Sequence, residues 1–118
     1  MSQRIPHPTG PEASRLRQRK GVLIRRFHLP ADLLPGSLSL SYVHCGKPTC
    51  HCARGKGHPA WSLTFMVEGQ KHVEHIPQAW VEEIRRRVEA GREFVDAVRE
   101  VLATNAQLVV LARQQRRR

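Results

Sequence analysis

The sequence predicts an α+β protein: a small antiparallel sheet of about three strands with a zinc-binding loop, followed by a long heptad-patterned helix. Three observations predict it. Cys45, Cys50 and Cys52 crowd into a short segment rich in Gly, Pro and Lys. Apolar and polar residues alternate on both sides of that segment, over 37–44 and 60–67, the period of a half-buried strand. From residue 78 onward apolar residues recur at alternating spacings of three and four, the period of a helix.

With 118 residues, the chain has the length of one domain. Its expected parts are a disordered basic arm (1–28), a zinc-loop and hairpin module (29–77), the long helix (78–114) and a basic tail (115–118). Only six residues are Phe, Trp or Tyr, so the aromatic core is small and a stabilising metal or partner chain is expected.

Residues 1–20 contain three prolines and many charges with few apolar residues, which reads as disorder. The arm ends in the apolar Val22, Leu23 and Ile24, and Pro35-Gly36 then punctuates the chain. In the first strand Leu38, Leu40 and Tyr42 share a face. In the second, Trp61, Leu63, Phe65 and Val67 do so. Glu68-Gly69-Gln70 is a hairpin turn with a glycine available for positive φ. Residues 71–76 return as a strand whose inner face the pattern leaves ambiguous, and Pro77 stops it at the start of a helix.

The helix carries the strongest periodic signal. Val81, Ile84, Val88, Gly91, Val95, Val98, Leu102, Asn105, Val109 and Ala112 form one seam. Such a helix is too long to bury fully on three strands. Gly91 leaves a gap in the seam and Asn105 is polar, so the helix either breaks near Gly91 and folds back, or continues and pairs with a second chain. Continuity, with self-association of the C-terminal half, is the expected outcome.

The cysteine segment has ligand spacing C-x4-C-x-C-x5-H, ending at His58. Zinc takes four thiolate or imidazole ligands in a tetrahedron. Ligands this close need a chain that turns sharply, and Gly46, Pro48, Gly55 and Gly57 supply the turns. Cys45, Cys50, Cys52 and His58 are therefore the expected zinc ligands, with the fourth least determined. His51 is expected to point away, His44 to end a strand, and His72 and His75 to lie on the hairpin within reach. Lys47, Arg54 and Lys56 would offset the net negative charge of three thiolates on one Zn²⁺. No paired carboxylate, nucleophile or phosphate-cradling loop accompanies the site, so no enzymatic activity is expected.

The net charge of +10 is unevenly placed. Residues 1–28 carry seven Lys/Arg against one acid, residues 29–112 nine against nine, and residues 113–118 four arginines. Basic ends on a neutral body suit a polyanion's phosphates. The expected nucleic-acid contacts are Arg15, Arg17, Arg19, Lys20, Arg25 and Arg26 in the arm, Lys47, Arg54 and Lys56 in the loop, and Arg116, Arg117 and Arg118 in the tail, with DNA ahead of RNA. The Arg85–Arg87 cluster could equally pair with Glu82, Glu83 and Glu89. The alternative is an interaction adaptor, dimerising or docking on a larger protein through the heptad helix. No apolar run is long enough for a membrane span and no signal peptide is legible, so a cytoplasmic protein is expected.

The string CGKPTCHCARGKGHPAW, the hairpin with Glu-Gly-Gln, and IPQAWVEEIRRRV resemble a family of small prokaryotic proteins of uncharacterised function. Its members carry a CGK-x-x-C-x-C-A-x-G-x-x-H segment, a hairpin, an Ile-Pro step and a long helix. The resemblance covers roughly residues 36–112 and implies a transposon-associated, DNA-linked context. Where the family usually has Gly-Pro-Tyr after the histidine, this chain has Pro59-Ala60-Trp61.

Overall fold

The structure, a computed structural model, describes residues 5–50, 55 and 57–116. A helix α1 (Pro11–Phe27) precedes strands β1 (Ser37–Val43), β2 (His58–Val67) and β3 (Gln70–Ile76). A 3-10 turn (Gln78–Trp80) then leads into helix α2 (Val81–Arg116). The strands form one antiparallel sheet in the order β1-β2-β3, so the architecture is the expected α+β one.

The central strand β2 pairs Leu38 with Leu63 on one side and Glu74 with Leu63 on the other. This register fixes one apolar face, on which the first turns of α2 lie. Leu63, Ile84 and Val88 form the buried cluster, with Leu34, Leu38, Phe65, Ile76 and Trp80 packed around it. Ile76 in this cluster and His72 stacked on Phe65, with ring centroids 5.2 Å apart, settle the inner face of β3. Pro59 lies in the central strand without breaking the sheet. It pairs only with Tyr42 of β1, because β2 runs past the end of β3, whose Ile76 lies opposite Trp61.

Helix α2 is continuous through Gly91, and Gly91 has a packing role. The carbonyl of Leu34 approaches so closely that a Cβ here would lie 2.3 Å from its oxygen, while the Leu34 N–H donates to the Arg87 carbonyl at 3.1 Å. The seam gap is thus where the 29–36 segment crosses the helix. Only Val81, Ile84, Val88 and Gly91 of α2 are buried. From Val95 to Arg116 every residue is exposed, and the molecule is correspondingly elongated, 79 Å in its longest dimension.

Residues 1–4 of the arm expected to be disordered over 1–28 lie outside the described residues, and residues 11–27 form α1 instead. Pro11 stands at its first turn, where a missing N–H costs nothing. The following residues, with five arginines, two leucines, Lys20, Ala13 and Gln18, favour a helix. His28 closes it in the left-handed conformation, and the Leu29 N–H returns to the Ile24 carbonyl at 3.2 Å, a Schellman-type end. The low apolar content instead determines that no residue of α1 is buried. One ion pair, Lys20 Nζ to Asp32 Oδ1 at 3.4 Å, links it to the following segment, and at this exposure it contributes little.

Candidate metal centre

Strands β1 and β2 place the site. Val43 lies opposite His58 at the end of their ladder, so the fourteen residues between them leave and re-enter the sheet at one point. Cys45 follows two residues after β1, and His58 opens β2. Lys47 to Cys50 makes a turn closed by the Cys50 N–H on the Lys47 carbonyl at 3.1 Å, with Pro48 at the position whose fixed φ suits it. This turn carries Cys50 back toward His58. Gly57 completes the return: its φ is +92°, and a Cβ would lie 2.8 Å from the Val43 carbonyl oxygen. Only glycine fits both demands, and the position of the next residue, His58, depends on it.

The result is a cluster of donors. One ligand atom from each of Cys45, Cys50 and His58 lies within 4.8 Å of the others, and Cys50 Sγ is 3.3 Å from His58 Nε2. Ligand atoms on a tetrahedral zinc stand about 3.4–3.8 Å apart, given bonds of about 2.0–2.3 Å, so the three donors fit around one ion. Neither cysteine is in a disulfide. Hydrogen bonding to Cys45, and next to Cys50, raises the His58 pKa above its ordinary value. A metal held by these residues would take the place of that proton, because thiolates and a neutral imidazole are the forms that coordinate.

Cys45, Cys50 and His58 are therefore brought together as the spacing predicts. Cys52 and His51 lie outside the described residues. His72 and His75 do not join the cluster: His72 packs on Phe65, and His75 Nδ1 sits 3.5 Å from Ser62 Oγ. Among the described residues this is the one group of three or more such side chains placed to hold a metal.

The predicted basic contacts divide. Arg15, Arg17, Arg19, Lys20, Arg25 and Arg26 all stand on α1. At 100° per residue, Arg15, Arg19 and Arg26 share a sector of roughly 40°. Arg17 donates to the Pro8 carbonyl and Lys20 pairs with Asp32, whereas Arg15, Arg19, Arg25 and Arg26 form no ion pair among the described residues. The Arg85–Arg87 cluster is largely engaged. Arg87 meets Glu83 at 2.6 Å, and Arg85 meets Glu82 at 3.7 Å while lying over the Trp61 ring. Lys47 is exposed in the loop and Arg116 ends α2. Arg54, Lys56, Arg117 and Arg118 lie outside the described residues. The helical register of the α1 arginines was missed by the sequence reading, although Pro11 and the Gly10 before it signal a helix start.

Among the described residues no helix is long and apolar enough to cross a membrane. No curated protein and no solved structure matches the chain. A family model matches residues 12–86, spanning α1, the sheet, the metal-ligand cluster and the first turns of α2, and the chain thus belongs to the family described as domain of unknown function DUF6788.

Proposed function

We propose that the protein is a zinc-stabilised nucleic-acid-binding accessory protein without catalytic activity of its own. The observation that carries this reading is α1: an exposed helix with six basic residues and one acid, four of whose arginines have no ion pair among the described residues. A helix about 10–12 Å across matches the B-DNA major groove, about 12 Å wide. The deep, narrow major groove of duplex RNA does not admit one, which favours DNA. An association with mobile DNA elements rests on the sequence resemblance alone.

Zinc suits two thiolates and an imidazole, with Cys52 as the fourth ligand. Four protein ligands leave no open position, so the ion would be structural. It would hold the β1–β2 loop, and Lys47 with it, against the sheet. Arginines on α1 and Arg116 at the end of α2 would contact phosphates, and affinity would be strongly salt-dependent.

The test is a titration of full-length protein with duplex DNA at several salt concentrations. If Arg15, Arg19, Arg25 and Arg26 each neutralise one phosphate, they contribute about −3.6 to the slope of log K against log salt. Changing all four to Gln should remove that part of the slope. Absence of binding at 50 mM salt, or a variant with the wild-type slope, contradicts the proposal. Equal affinity for duplex RNA contradicts the preference for DNA.

A further inference from the structure

The C-terminal part of α2 does not belong to the site described above. From Val101 to Ala112 the sequence contains no charged residue, yet all twelve positions are exposed. Val95, Val98, Val101, Leu102, Leu108 and Val109 are each between 41% and 69% exposed. At 100° per residue these six fall within a stripe about 140° wide. Apolar side chains so aligned, on a helix projecting from the body, mark an interaction surface.

We infer that this stripe pairs with the same stripe of a second copy of the chain, in antiparallel orientation. Three features favour a second copy. The stripe continues the heptad spacing that α2 uses against its own sheet, so it has the period of a helix–helix seam. It offers no charge by which an acidic or basic partner would be selected. Its single polar member, Asn105, lies near the middle of the uncharged run and carries both donors and an acceptor. Pairing about that midpoint offsets the two Asn105 side chains by about 4–5 Å along the axis, within reach of a mutual amide hydrogen bond.

Charge selects the orientation. Arg113 and Arg116–Arg118 follow the uncharged run, and residues 89–100 before it carry four acids and two arginines. A parallel pair would gather eight arginines at one end. The antiparallel pair separates the two arginine groups by more than the ~8–10 Å Debye length and sets each beside the net-negative segment of the other chain.

The experiment is sedimentation equilibrium on the full-length protein from 1 to 200 µM, with photo-crosslinking from a benzophenone amino acid placed at Gln115. The expected result is a species of twice the 13.5 kDa chain mass. V101E/L108E should remain monomeric with an unchanged thermal transition at 1 µM, since both residues are exposed in the single chain. Crosslinks should join Gln115 to the partner's tryptic fragment Glu93–Arg99, which contains Val98. A monomer at 200 µM, a dimer unaffected by V101E/L108E, or crosslinks confined to partner residues after Arg99 would overturn the proposal.

Discussion

The two ends of the sheet close antiparallel ladders in opposite ways. At one end β2 and β3 are joined by Glu68 and Gly69 alone, with φ of +51° and +81°. Two positive φ values in a two-residue loop are the signature of a type I′ turn, whose twist matches that of its strands. At the other end the β1–β2 ladder of the same length, seven pairs, is closed by fourteen residues. The longer closure costs roughly 1.5–2 kcal/mol more in loop entropy, and the turn at Lys47–Cys50 within it does not by itself join the two strands. It has instead Cys45, Cys50 and His58 gathered at the point where the strands meet. A short turn is specified by backbone geometry; a long one needs a clasp, and here two donors, Cys45 and Cys50, come from the loop and the third, His58, from the first residue of β2.

If that contrast is right, disturbing the clasp has the largest effect. Chelation, or Cys50→Ser, should remove about 4 kcal/mol of unfolding free energy under conditions where free metal is a thousandfold above its dissociation constant. Denaturant titration with and without chelator measures it, and exchange of the β1–β2 amides should rise before that of β2–β3. Next comes Gly57→Ala, which combines a left-handed φ with contact against the Val43 carbonyl. A loss of about 1–3 kcal/mol is expected, with weaker metal binding in a competition titration.

At the other end the effects should be smaller and independent of metal. Gly69→Ala meets no atom within 4 Å and suffers only from its φ, a cost of about 1 kcal/mol seen as a lower melting temperature with metal affinity unchanged. Smallest of all, Glu68→Asn should stabilise by a few tenths of a kcal/mol, because Asn tolerates a positive φ better than Glu does. A Glu68 or Gly69 variant that altered metal binding would break the comparison.

These two ends also differ in how legible they are in the sequence. Glu68-Gly69 announces its turn through local chemistry, and the three cysteines announce a metal through their density. The strand alternation around Leu63 and the heptad spacing of α2 are equally local signals, and the structure follows them. What is not legible is nonlocal. Gly91 reads as a gap or a break, because its reason is the Leu34 carbonyl, which lies more than fifty residues away in the chain. Helix α1 reads as a disordered arm because it has too few apolar residues to suggest a packed element, and it buries no residue fully, with only Ala13, Arg17, Gly21 and Ile24 half-buried along one face. Of the site, Cys45, Cys50 and His58 are placed by the ladder that puts Val43 opposite His58, a pairing the spacing of the ligands does not reveal.

The central claim is that this cluster is a metal clasp, and native mass spectrometry tests it most directly. The protein as purified, without added metal, should be heavier than the acid-denatured chain by one zinc ion less the protons its ligands release. Chelation should abolish that difference, and Cys50→Ser should greatly diminish it. A wild-type protein whose native and denatured masses agree, and whose β1–β2 amides exchange alike with and without chelator, contradicts the account.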